Sequence, residues 1–515
     1  MAYRRRPAEP DAGPETRKGK PYAAADMAGV DVGPGLRPVV GEVQSSAGGP
    51  GAMPAHGRPG WRRASSVPIL LLPIVIVSVC FFPGHMSNDT LAQIGQARDG
   101  GFTNQHAPLL IGLWHLVWPL GVGPGSILVV QVTVFVGGTY LILRGLFAGW
   151  IAALLTAVIA LSPAVFGMLG YLSRDTWSTA LLMATFGLLA WSLREGARGS
   201  RLLVVSALAA SWLTLASRQN AVAAVAVANA AIAWQVLGPR LPRRAFAGLM
   251  VVASVGGILT IGMFASQVAV SKLMGVRDVH PEQYVFIYDL ELLSHDLHRN
   301  LFPADVMPRR DLATIEQYYN IDSVNPLLFS PDPPVRSPLA DGPLRSLRRA
   351  WKRSIADQPV DYLKGRWRLW LRQVSLTREA DFIYHPVVDP NPWGLQVRFA
   401  SLDEAAGDYV EFFADPRTLD GGPLHRVWVY LLLDVVGALA LIRKKMRPAQ
   451  RVVAMLALAV VAHQAGLFLG AMGTQYRFQF PAVVVGLVVL FVLIQHLSRM
   501  RRARPDRDLA TPSAV

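Results

Sequence analysis

The sequence predicts an all-α polytopic membrane protein with about ten transmembrane helices, outer-face juxtamembrane helices and a large extracytoplasmic insert. Three observations carry that reading. Hydrophobic residues make up 52% of the chain and charged residues only 17%, with a mean hydropathy of +0.32, too little charge for a soluble protein. The apolar residues gather in runs that approach or exceed the length needed to cross a core of roughly 30 Å. The links between runs alternate, and every second one is rich in Arg and Lys, the mark of cytoplasmic loops.

The net charge of +15 sits in the tails, the short links and the insert rather than along one groove, so no nucleic-acid partner is expected. Cys80 is the only cysteine, which excludes an intrachain disulfide framework and a Cys-based zinc site. The abundance of Ala, Val, Arg and Gly points to a bacterial source, and hence to a bacterial plasma (inner) membrane.

Residues 1–65 are rich in Pro, Gly and charge without apolar periodicity and read as a disordered cytoplasmic tail. The N-terminal transmembrane module, 66–269, starts with a span at 66–82. A first outer loop, 83–125, follows; it carries SNDTLAQIGQARDGGFTNQHAP and a short Trp-rich piece, 109–121, expected to lie in the interface. Further spans are expected at 126–147, 149–163 and 176–193, then one ending at Leu215, one ending at Leu237 and one at 245–268. ASRQNA, 216–221, breaks the apolar run between two of them. Residues 270–423 form the polar, Pro-rich insert, with amphipathic pieces such as 359–374. Spans at 425–442, 452–472 and 480–498 complete a C-terminal module, 424–498, before a basic tail, 499–515. With both termini cytoplasmic, the links holding Arg144, Arg194, Arg240 and Arg443 all fall inside, as the positive-inside rule requires.

That topology puts Asp89, His106, Arg174, Asp175, Arg218, Arg477 and the insert on the outer face. Each residue has two readings. Asp89 is an N-cap for a helix beginning near Thr90, or a functional acid beside the bilayer. Asp175 is a cap before Thr176, or a second acid. His106 is an interfacial histidine, or a hydrogen-bond partner for a sugar or phosphate. The arginines snorkel at helix ends, or they hold a phosphate in fork geometry. No Walker, GxGxxG, HExxH or GxSxG motif occurs. Outside the membrane there is no ATP or nucleotide sugar, so a synthetic enzyme there needs a donor carried in the lipid.

Five short motifs run in order along residues 66–498: SNDTLAQIGQARDGGFTNQHAPLL, YLSRDTWSTALL, SRQNA, DQPVDYLKGRW and TQYRFQFP. Together they resemble the GT-C superfamily of integral-membrane glycosyltransferases, whose donors are polyprenyl-phosphate sugars. The resemblance implies a GT-C-like helix arrangement, a polyprenyl-phosphate-linked sugar donor and a glycan, lipid or protein acceptor. It also implies catalytic roles for Asp89, as general base, and for Asp175. Substrate contacts are implied for Gln105, His106, Arg174, Arg218, Asn220, Tyr476 and Arg477. Some members use a metal and others do not; Asp89, Asp175 and His106 are the candidates to hold Mg2+ or Mn2+. Two positions depart from the motifs: Gln358 where a His is expected, and Phe478 where a Tyr is expected. The aromatic stretch FIYHPVVDPNPWG, 382–394, suits a lid over the acceptor. Two further classes stay open: a transporter or flippase of lipid-linked glycans, and a non-catalytic envelope-assembly protein.

Overall fold

The computed structural model describes residues 66–194, 197–238, 245–309, 311–377, 385, 387–414, 423–442 and 446–502. The tail 1–65, the C-terminal residues from 503, the links holding Arg240 and Arg443, and residues 382–384 and 386 of the aromatic stretch lie outside the described residues.

The described chain is helical. In order come α1 (Val67–Cys80), α2 (Asn88–Asp99), α3 (Pro108–Val117), α4 (Pro124–Arg144), α5 (Gly149–Leu161), α6 (Pro163–Leu169), α7 (Arg174–Ser192), α8 (Ala197–Ser217), α9 (Val222–Leu237) and α10 (Ala245–Leu273). The insert contributes α11 (Gln283–Asp296), α12 (Leu312–Tyr318), α13 (Asn325–Phe329), α14 (Asp341–Asp357), α15 (Pro359–Gln373) and α16 (Ala400–Ala414). The chain closes with α17 (Val427–Leu441), α18 (Pro448–Gly470) and α19 (Phe480–Arg502).

Among the described residues, six helical stretches are long and apolar enough to cross a membrane: Pro124–Arg144, Ser200–Ser217, Gln219–Leu237, Ala247–Leu273, Pro448–Gly470 and Tyr476–Met500. A seventh arises if α5 and α6, bent by 75°, are one broken span. The bend has a local cause. Pro163 has no N–H to continue the ladder, and it pushes Ser162 into extended backbone, with ψ 144. The other expected spans are helical too. α1 and α17 are apolar but only 14 and 15 residues long, and α7 opens on Arg174 and Asp175, which lower its hydropathy.

α7 is the axis of the bundle. Its hydroxyls bond its own carbonyls, as in Thr179 to Asp175 O at 2.9 Å and Thr185 to Leu181 O at 2.9 Å, so they are satisfied inside an apolar core. It crosses α4 closely. A Cβ on Gly138 would stand 2.5 Å from the Ala184 nitrogen, and one on Gly187 would stand 2.5 Å from the Gly138 oxygen, an approach only glycine permits.

The insert builds a second core from Tyr288, Leu290, Phe302, Leu327, Leu347 and Leu369, and Ala471 of the α18–α19 link belongs to it. The link is tied down along its length. Arg366 reaches Ala471 O at 2.5 Å, Gln373 reaches Gly473 O at 2.6 Å, and the Thr474 amide donates to Asp322 O at 3.1 Å. α16 instead joins the transmembrane core through Ala406 and Val410.

Candidate active site

Four chain segments meet at one place: the first turn of α2, the first turn of α7, the break between α8 and α9, and the short 3-10 turn Tyr476–Gln479 before α19. Local chemistry fixes each. Ser173 caps α7, its hydroxyl accepting from the Thr176 amide at 3.1 Å. Asp175 is therefore inside the first turn, at the positive helix end, and the cap role expected for it belongs to Ser173. The same correction applies to Asp89. α2 starts at Asn88 with Ser87 as N-cap, so Asp89 lies within the first turn and its carboxylate is turned elsewhere.

Arg477 lies between the two acids. Its Nη2 is 3.5 Å from Asp89 Oδ2 and its Nε is 3.9 Å from Asp175 Oδ2. Its Nη1 donates to the Tyr171 hydroxyl at 3.0 Å, which in turn is 2.7 Å from Ser87 Oγ. Arg218 forms an ion pair with Asp175, and its Nε donates to Asn220 Oδ1 at 3.2 Å. Asn220 is itself held by backbone, its carbonyl facing His463 Nδ1 at 3.1 Å. Arg174 donates to the Gln105 carbonyl at 3.3 Å, so Gln105 takes part through its backbone. Phe478, where the motif expects Tyr, lies under two cations. The Arg218 and Arg477 guanidiniums are 4.8 and 5.4 Å from its ring centre, an attraction that offsets their mutual repulsion.

The acids differ. Asp175 is 3% exposed and faces Arg218, whereas the Asp89 side chain is 47% exposed. Partial burial pushes the Asp89 carboxyl up. The charges of Arg477 and Arg174 outweigh that and hold it below the usual carboxylate range. His106 goes the other way from an ordinary histidine: burial and Arg174 lower it to about 4, against the pull of Asp89. Around this cluster, Asp175 Oδ2, Arg477 Nε and His106 Nδ1 are buried with no hydrogen-bond partner among the described residues. Beside it lies a small cavity of about 10 Å3 with a mixed lining, Asp175, Arg218, Ser178, Thr214 and His463 on the polar side and Leu182, Ala221, Ala224, Phe478 and Pro481 on the apolar side.

Tyr476 is placed apart from the other expected contacts. It is 1% exposed, its hydroxyl donates to Ala164 O at 2.9 Å, and its ring packs beside His425. Its side chain serves packing. Asp89, Asp175 and His106 do not form a metal cluster: among the described residues no three His, Cys, Asp or Glu gather to hold an ion, and both acids face guanidiniums instead.

Sequence reasoning missed Tyr171, Ser87 and Asp389. Asp389 comes from the insert and its carboxylate accepts from the Asn88 amide at 2.8 Å, capping α2 from a residue remote in the chain. Its own amide donates to Met86 O at 2.9 Å, and the Met86 amide donates to Val387 O at 3.2 Å. Trp393 covers Gly95 of α2, where a Cβ would stand 3.2 Å from the indole. The stretch expected to be a lid thus clamps the helix that carries Asp89.

Compared with known proteins, the chain matches no family model, no curated protein and no solved structure.

Proposed function

We propose that this protein is a membrane glycosyltransferase of GT-C type. It moves a sugar from a polyprenyl-phosphate donor to a glycan, lipid or protein acceptor on the outer face of a bacterial plasma membrane. In this reading the chain crosses the membrane ten times with both termini cytoplasmic. One observation carries the proposal. Three guanidiniums gather around two carboxylates, Arg218 and Arg477 paired with them and Arg174 acting on Asp89 through its charge. A surplus cation beside a partly exposed carboxylate suits the phosphate of a lipid-linked sugar.

The chemistry follows from the same groups. Asp89, ionised and half exposed, takes the acceptor hydroxyl proton as the oxygen attacks the anomeric carbon. The bond from that carbon to the phosphate oxygen breaks, and Arg477 and Arg218 stabilise the charge that stays on the phosphate. Asp175 holds Arg218 and steadies Arg477 rather than reacting itself. Where a member of this class uses Mg2+ or Mn2+, the ion would add charge stabilisation at the phosphate, a task the guanidiniums already fit.

The test is transfer itself. Membranes holding the protein are incubated with a panel of radiolabelled polyprenyl-phosphate sugars and an envelope extract as acceptor. Transfer from at least one donor, lost in Asp89→Asn, is expected. Movement of intact lipid-linked sugar across vesicles without cleavage would replace this reading with that of a flippase. No transfer and no movement by well-folded protein would leave the envelope-assembly class.

A further inference from the structure

A loop of the insert, 319–324, lies against the α18–α19 link, and that link runs into the 3-10 turn that carries Arg477. The Val324 amide donates to Met472 O at 3.3 Å. Asp322 meets Thr474 twice: its carbonyl accepts from the Thr474 amide at 3.1 Å, and its Oδ1 accepts from the Thr474 hydroxyl at 2.9 Å. Thr474 stands three residues before Arg477. We infer that Asp322 is a positioning residue for Arg477, fixing the backbone from which that guanidinium reaches Asp89 and Asp175. The inference rests on the reading of Arg477 as a contact for the donor phosphate.

Arg477 needs such a support. Its approaches to Asp89 and Asp175, 3.5 and 3.9 Å, exceed ordinary hydrogen-bond length. The acids therefore do not lock the guanidinium, and its placement depends on the backbone beneath it. A site that must meet a phosphate in fork geometry tolerates little drift there.

Asp322 is itself firmly placed. Arg372 of α15 holds its carboxylate through two bonds of 2.9 and 2.7 Å, a planar fork that sets its orientation. The Asp322 amide donates to Asn320 Oδ1 at 2.9 Å, the Asn320 amide to Glu291 Oε1 at 3.3 Å, and the Tyr288 hydroxyl to Ile321 O at 2.6 Å. Tyr288 and Glu291 are fully buried residues of α11, so the loop is anchored to two helices of the insert. The contact with the link is close: a Cβ on Gly473 would stand 2.5 Å from Asp322 O, so glycine is what lets the two backbones meet. The far end of the turn is held as well. Trp370 donates to Gln464 Oε1 at 3.2 Å, and Gln464 donates to Oε1 of Gln479, the last residue of the turn, at 2.9 Å.

The experiment uses the full-length protein in nanodiscs: parent, Asp322→Ala, Thr474→Val, Arg477→Ala and each of the first two variants combined with Arg477→Ala. Amide exchange is read by mass spectrometry, and polyprenyl phosphate binding by native mass spectrometry. Asp322→Ala and Thr474→Val should each raise exchange at amides 474–477 by at least about tenfold. Each should also weaken polyprenyl phosphate by at least about threefold, and neither should weaken it further once Arg477 is Ala. Thr474→Val removes a single hydroxyl, so it carries the test if Asp322→Ala, which leaves Arg372 unpaired, lowers the melting temperature. Arg368→Ala breaks the Asp296 pair on the same helix and should change neither readout. Unchanged exchange at 474–477 overturns the inference, as does an equal loss of affinity with and without Arg477. Polyprenyl phosphate that binds the parent no more tightly than Arg477→Ala overturns the phosphate reading instead, and exchange at 474–477 then decides the positioning by itself.

Discussion

The molecule contains two arginine–aspartate assemblies that solve different problems. In the insert, Arg366 and Asp289 are both fully buried and meet one to one at 2.5 Å, and Arg372 grips Asp322 through two bonds of 2.9 and 2.7 Å. In the acid–arginine cluster, Arg218 and Arg477 pair with Asp175 and Asp89 while the charge of Arg174 also acts on Asp89, and one acid of the two stays half exposed. A fold that uses buried charge for architecture balances it, because an unpaired ion in a core is costly. A cluster left with excess positive charge and open on one side has the form of a site awaiting an anion.

The comparison breaks most visibly at the acids. Asp89→Asn keeps the size of the side chain and removes the proton acceptor. It should lower transfer by about 10²–10⁴-fold, the usual worth of a general base, while thermal unfolding stays near that of the parent. Radiolabel transfer and differential scanning fluorimetry on one preparation check both. Near-parent transfer would place Asp89 with the structural acids.

The insert pair should show the reverse. Arg366→Met leaves Asp289 buried without its cation, and stability should fall by about 3–5 kcal/mol. The double variant Arg366→Met, Asp289→Leu should recover most of that loss, as read from denaturant midpoints of the purified protein.

A smaller effect joins the two regions. Asp389→Ala removes the cap of α2, worth about 1 kcal/mol, and should raise amide exchange at Asn88–Leu91. Asp389→Asn should restore protection, since Asn also caps. Unchanged exchange in the Ala variant would detach the insert from the placement of Asp89.

The smallest effect is on pH. His106 is lowered to about 4, so it is neutral across about pH 5–8, where an ordinary histidine titrates. Asp89, held below its usual range, stays ionised there too. Transfer should show no acid limb between those limits. Stability should decline on acidification below about 6.5, as the unfolded chain protonates His106 and the folded one does not. A limb near 6.5 that vanishes in His106→Gln would make His106 a titrating catalytic group.

Much of this was legible in residue order. Apolar runs marked the helices, and the break ASRQNA between α8 and α9 showed as a polar interruption carrying Arg218. The capping of α2 was not legible. Ser87, Asn88 and Asp89 are all good caps, and the group that bonds the Asn88 amide, Asp389, leaves no local signal. Tyr476 misled for a geometric reason. In a 3-10 turn, neighbouring side chains point about 120° apart, so Tyr476 turns into the core while Arg477 turns to the acids. Tyr171 sat in plain view in YLSRD, but only the approach of Arg477 and Ser87 gives it a role.

The most direct measurement is donor binding. Polyprenyl phosphate is titrated into nanodisc-held parent, Arg477→Ala, Arg218→Lys and Arg368→Ala, with binding read by native mass spectrometry and melting temperature read alongside. Losing a charge-assisted contact is worth about 1.5–3 kcal/mol, so Arg477→Ala should bind at least about tenfold more weakly. Arg218→Lys should fall short of full affinity for want of the planar fork. Arg368→Ala, which breaks an insert pair, should bind as the parent does. Equal affinity in all four proteins would contradict the account and make the membrane-face arginines structural after all.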